Sequence, residues 1–223
     1  MIERILPGQV VAIESTAQLP TVPAQHEGLF PEEQAHIARS VPHRQAEFHA
    51  VRACARRALA ALGRPAVPLV PGPRGEPRWP DGVVGSMTHC AGYRAAALAP
   101  AAELLGVGID AEPDQPLPDG VLEAVARPEE LPRLAELARA HPALSADRLL
   151  FSAKESVYKA WFPLTGLMLD FSEASLTFAP DGTFTARLLV PGPVVAGRRL
   201  PGFEGRWLAA SGLVVTAVAV PHP

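Results

Sequence analysis

One order of periodicities occurs twice along this chain and constrains its fold more than any other feature: a long helical repeat followed by paired strand-like runs. Over residues 43–62, Phe48, Val51, Ala55, Leu59 and Leu62 return at three- and four-residue steps, with Pro42 before and Gly63 after as start and stop signals. A Pro/Gly-rich stretch at 68–82 predicts an ordered loop, and the runs 84–90 and 95–99 predict a hairpin turning at Ala91-Gly92. The second helical repeat covers 145–162, opened by Ser145 with Asp147 in its first turn and stopped before Pro163. After it, 174–178 and 183–190 flank Asp181-Gly182, a strong hairpin signal, and 206–210 and 213–220 add two more strands. A shorter helix is predicted over 129–140, and 105–112 alternates as a strand. No residue-level repeat joins the two halves, so the pattern by itself gives an α+β fold.

With 223 residues, 48% of them hydrophobic, the chain can bury a substantial core. The first residues lack an uninterrupted apolar segment, and the longest apolar run, Leu213–Pro221, is too short to span a bilayer, so a cytoplasmic protein is expected. Cys54 and Cys90 stand in different segments without metal-ligand spacing and read as reduced, structural thiols. A net charge of -3 excludes a generally basic nucleic-acid binder but leaves room for local basic clusters. Among twenty Lys and Arg only Lys154 and Lys159 are lysines, which singles out compact ammonium groups in one segment.

In Gly106-Val107-Gly108-Ile109-Asp110-Ala111-Glu112, alternation sends Val107, Ile109 and Ala111 to one face and Gly108, Asp110 and Glu112 to the other. Two neighbouring carboxylates are hard oxygen ligands of the kind Mg²⁺ takes together with water and phosphate oxygens, although an exposed polar strand end would read the same way. In the second helix Leu149, Ala153, Val157 and Ala160 form the buried stripe, and Glu155 and Lys159 lie together opposite it. At i, i+4 that pair can be a surface ion pair worth about 0.2–0.5 kcal/mol. Together with Asp110 and Glu112 it would instead complete a three-carboxylate site flanked by Lys154 and Lys159 for phosphate oxygens. Ser86 and His89 have no nucleophilic triad around them, and neither type of glycine-rich phosphate loop is present. Arg44 and Arg52 fall at the edges of the first helix's apolar stripe, whereas Arg57 falls on its solvated side.

These residues resemble the Sfp-type phosphopantetheinyl transferases, closest to the EntD-like bacterial branch. Gly108 to Glu112 is similar to the family's G-x-D-x-E element, and the run Phe151 to Trp161 to its K-E-x-x-x-K helix. Arg44 to Leu59, Gly75 to Pro80 and Gly85 to Tyr93 resemble that branch's N-terminal motifs. The resemblance implies a pseudo-dimer of two similar half-domains, 1–104 and 105–223, with the active site in the cleft between them. It implies Asp110, Glu112 and Glu155 as ligands of Mg²⁺, or of Mn²⁺ in its place. It assigns coenzyme A to Arg44, Arg52, Arg74, Ser86, Thr88, His89, Lys154 and Lys159, and the catalytic groups expected with it are Glu155 as base, directly or through a metal-bound water, with Lys159 at the leaving phosphate and Lys154 as supporting charge. The implied partners are coenzyme A and an apo acyl or peptidyl carrier protein, with no nucleic acid or membrane, and a monomer as working unit. Two rivals stay open from the residues: a Mg²⁺-dependent nucleotide phosphohydrolase, and an inactive carrier-protein-binding module that keeps the fold.

Overall fold

A computed structural model of the chain describes residues 1–16 and 28–222. After a 3-10 turn at Ile2–Ile5 come β1 (Val11–Ser15), α1 (Pro31–Ile37), α2 (Pro42–Ala61), β2 (Val83–Cys90) and β3 (Tyr93–Pro100). They are followed by β4 (Leu104–Pro113), α3 (Val121–Val125), α4 (Glu130–Ala140) and α5 (Ala146–Thr165). The chain then forms β5 (Ala174–Phe178), β6 (Thr183–Leu188), the short pair β7 (Val194–Val195) and β8 (Arg198–Arg199), and finally β9 (Gly202–Ala210) and β10 (Leu213–Pro221).

Both expected helix-plus-sheet units are present. A three-stranded antiparallel sheet has the order β1-β3-β2, and a five-stranded one the order β4-β10-β9-β6-β5. Helix α2 lays Cys54, Ala55, Ala58 and Leu59 on Ala96 and Leu98 of the small sheet. Helix α5 lays Leu149, Leu150, Ala153, Val157 and Trp161 on Val214, Val218 and Phe184 of the large one. A fully buried leucine such as Leu59 contributes about 1.5–3 kcal/mol, so these stripes fix each helix against its sheet.

The other faces of the two sheets share a third cluster: Ala95, Ala97 and Ala99 of β3 meet Val107, Ile109 and Ala111 of β4 and Val215 of β10. Alanine on β3 lets the sheets approach closely. At their seam β2 runs beside β4 without a backbone ladder; Ser86 Oγ accepts from Ile109 N and Thr88 Oγ1 from Ala111 N, each at 3.1 Å. Side-chain hydroxyls thus satisfy backbone donors of β4 that a neighbouring strand would otherwise take.

One local expectation needs correction. Helix α5 does not stop before Pro163 but runs through it to Thr165, and Gly166 ends it in the left-handed region at φ +67°. A proline this near the end removes one intrahelical bond, and Gly166 N still donates to Phe162 O at 2.8 Å. Strand β1 and helix α1 were not marked by periodicity. β1 is ordered by pairing with β3, and α1 by Glu33, whose buried carboxylate accepts from Leu69 N and Arg56.

Candidate active site

Glycine at 108 sets the geometry. A Cβ there would stand 2.0 Å from Ser156 O and 2.7 Å from Ala160 N, so β4 and α5 touch backbone to backbone at this point. Two residues further along the same face, Asp110 meets the side chain of Lys159, one turn beyond Glu155 on α5. Lys159 Nζ donates to Asp110 Oδ1 at 2.7 Å and to Ile109 O at 3.2 Å, and Thr88 Oγ1 donates to the same carboxylate oxygen at 3.3 Å. Asp110 is only 5% exposed, and its Oδ2 is buried with no hydrogen-bond partner.

Glu112 lies next along this face and pairs with Arg148, whose Nη1 stands 3.0 Å from its Oε2. Burial first, and then the charge of Asp110, push the Glu112 carboxyl above the usual carboxylate range, against the pull of Arg148. The Glu155 carboxyl is likewise raised by burial, with Lys159 opposing and Asp110 adding. Among the described residues no three His, Cys, Asp or Glu side chains stand close enough together to hold a metal ion. Asp110 is turned to Lys159 and Glu112 to Arg148. The donor chemistry still fits a hard cation: all three groups are carboxylates, and Asp110 Oδ2 is an orphaned acceptor of the kind such a cation satisfies.

Beside these groups opens a cavity of about 760 Å³ lined from both halves of the chain. Helix α2 contributes Arg44, Phe48 and Arg52, the 71–79 loop Arg74 and Trp79, β2 Ser86 and His89, and α5 Glu155, Tyr158, Lys159 and Phe162. Arg44 Nη1 is 2.7 Å from His89 Nε2, and Glu47 stands 3.5 Å from His89 Nδ1. Burial, reinforced by Arg44 and Lys159 and opposed by Glu47, lowers the His89 pKa. Because a guanidinium only donates, His89 Nε2 is the acceptor in this contact. Arg52 is nearly buried: its Nε donates to Leu69 O at 2.9 Å, its guanidinium lies 3.1 Å over the Phe48 ring, and desolvation lowers its pKa to about 10.

Lys154 is not brought to this cavity, which corrects the expectation for it. One step along a helix turns a side chain by about 100°, and that carries Lys154 to the flank facing α3 and β5. There Nζ donates to Val125 O, Phe171 O and Ala174 O at 2.7–3.2 Å and pairs with the buried Glu130 at 2.8 Å. Its charge is spent inside the protein. Thr88 also stays off the cavity wall, because its hydroxyl joins Ala111 N to Asp110; Ser86 reaches the wall while its hydroxyl holds Ile109 N. Sequence reasoning passed over Arg148 and the apolar wall of Phe48, Trp79, Tyr158 and Phe162. The i, i+4 spacing of Tyr158 and Phe162 beside Glu155 was a usable signal for part of that wall. Arg148 stands 36 residues from Glu112 and gave none.

Comparison with known proteins identifies the family. A family model described as the 4'-phosphopantetheinyl transferase N-terminal domain matches residues 32–99, and the model of the 4'-phosphopantetheinyl transferase superfamily matches residues 106–209. The 4'-phosphopantetheinyl transferase Svp of Streptomyces mobaraensis is 62% identical over 100% of this chain and 90% of its own length. PptT of Mycobacterium tuberculosis, also named a 4'-phosphopantetheinyl transferase, is 46% identical over 99% of this chain and 98% of its own. Enterobactin synthase component D of Salmonella typhi is 32% identical over 80% of this chain and 75% of its own. The chain belongs to the 4'-phosphopantetheinyl transferase superfamily.

Proposed function

We propose that this protein transfers the 4'-phosphopantetheine moiety of coenzyme A to a serine of an apo acyl or peptidyl carrier protein, in a Mg²⁺-dependent reaction that releases 3',5'-ADP. The observation that carries this reading is one cavity, large enough for a cofactor-sized ligand, with Arg44, Arg52, Arg74 and His89 along one side and Glu155 and Lys159 on the other. Arginine forks suit phosphate oxygens, so the nucleotide end of coenzyme A lies toward α2 and the pyrophosphate toward α5. Half-domains bounded near Leu104, 1–104 and 105–223, go with this orientation.

Glu155 takes the proton of the attacking serine hydroxyl as the new Oγ–P bond forms and the P–O bond within the pyrophosphate breaks. The bond pair leaves on the 3',5'-ADP phosphate, and Lys159 neutralises that developing charge, by a short move from Asp110. The raised pKa of Glu155 suits a base in a partly desolvated position. Asp110, Glu112 and Glu155 would hold the Mg²⁺, or Mn²⁺ in its place, and the cation supplies charge neutralisation at the pyrophosphate when bound. Lys154 has no part in these steps. Among the described residues no helix is long and apolar enough to cross a membrane. The same reading has the enzyme working as a cytoplasmic monomer without nucleic acid.

Product analysis separates transfer from hydrolysis. With coenzyme A and Mg²⁺, release of 3',5'-ADP is expected only when an apo carrier protein is added. Release at the same rate without a carrier would make the protein a phosphohydrolase, and the proposal would fall.

A further inference from the structure

We propose that Arg148 is the positioning counter-ion of Glu112, a latch that the cation must displace for Glu112 to turn to the metal; the inference rests on the metal site proposed above. Three acceptors fix the guanidinium. Nη1 donates to Glu112 Oε2, Nη2 to Pro116 O and Nε to Gln115 O, all at 3.0 Å. The side chains of Arg148 and Glu112 are 17% and 21% exposed, so water screens the pair only partly.

The surroundings hold the latch in place. Arg148 sits in the first turn of α5, and its neighbour Asp147 accepts from Leu117 N at 2.8 Å, while Asp114 accepts from Ser145 N at 2.8 Å. The segment after β4 is therefore clasped to the start of α5 whether or not Glu112 is engaged. The Glu112 side chain can turn away while the backbone stays. Asp110 already faces Lys159 and Glu112 faces Arg148, so each of these two carboxylates is held by a cation of its own.

Removing the competing cation should tighten metal binding. Mn²⁺ titration of the full-length protein followed by electron paramagnetic resonance, without coenzyme A, reads this directly. Arg148→Gln is expected to bind Mn²⁺ about tenfold more tightly than wild type, the size expected of one nearby unit charge at partial exposure. Glu112→Gln is expected to bind more weakly, and adding Arg148→Gln to it should then give little gain. Unchanged or weaker binding by a normally melting Arg148→Gln protein would overturn the latch, as would an equal gain in the Glu112→Gln background, which would mark a diffuse charge effect. Should Arg148→Gln melt early, Arg148→Lys keeps the charge but loses the fork. It is expected to tighten binding less, and no tightening there overturns the proposal too. A wild type that binds no Mn²⁺ even with coenzyme A present would instead remove the metal site itself, and the latch with it.

Discussion

Glu155 carries the heaviest chemical assignment, and its environment makes that assignment testable in two independent ways. Glu155→Gln is expected to cut transfer by about 10²–10⁴-fold, while its thermal midpoint stays level or rises. The stability sign follows from the raised pKa. Burial disfavours the charged form, so any contribution of the group is present below its unfolded pKa and lost as pH rises through the folded value. Wherever that side chain is ionised it is a liability that glutamine removes. Turnover near wild type in the variant would end the assignment. Glu155 and Lys159 were readable from helical spacing, and Asp110 and Glu112 from strand alternation. Lys154 was not, because spacing cannot say which flank of a helix holds a buried partner; Glu130 lies in a different helix, and only folding brings it to Nζ.

Helix α5 and strand β4 form the working frame, and the buried Lys154–Glu130 pair ties that frame to α4 and β5. Glu130 also accepts from Leu176 N at 2.7 Å, so the pair stitches three elements around one cation. Lys154→Met leaves Glu130 buried and uncompensated, and should cost about 3–5 kcal/mol. Lys154→Met with Glu130→Met should recover much of that loss in denaturant melts and retain measurable transfer. A double variant that is well folded yet inert would return Lys154 to the chemistry. Elements with their own periodicity, α2, α5 and the hairpins, were legible in the sequence. β1 and α1 were not, since their order comes from β3 and from the Glu33 network rather than from an apolar face of their own. The extension of α5 past Pro163 was hidden for a related reason: Gly166 and the packed Trp161 hold the last turn against the proline.

On the scale of the whole molecule, two helix-on-sheet units are fused through an alanine-rich seam, and one cavity takes its walls from both. The α+β class and the doubled order of elements could be read in advance. The seam could not, because hydroxyls of β2 bonding the backbone of β4 leave no periodic trace. The proposed function puts phosphate oxygens on Arg44, Arg52 and Arg74 of one unit and the cation on Asp110, Glu112 and Glu155 of the other, which would give the fusion a reason. The most direct test is intact-mass analysis of an apo acyl or peptidyl carrier protein incubated with this protein, coenzyme A and Mg²⁺, beside an EDTA control. A mass gain of one phosphopantetheine on the carrier, abolished by EDTA, is the predicted result. No gain on any of several carriers, with coenzyme A left intact, would contradict the account.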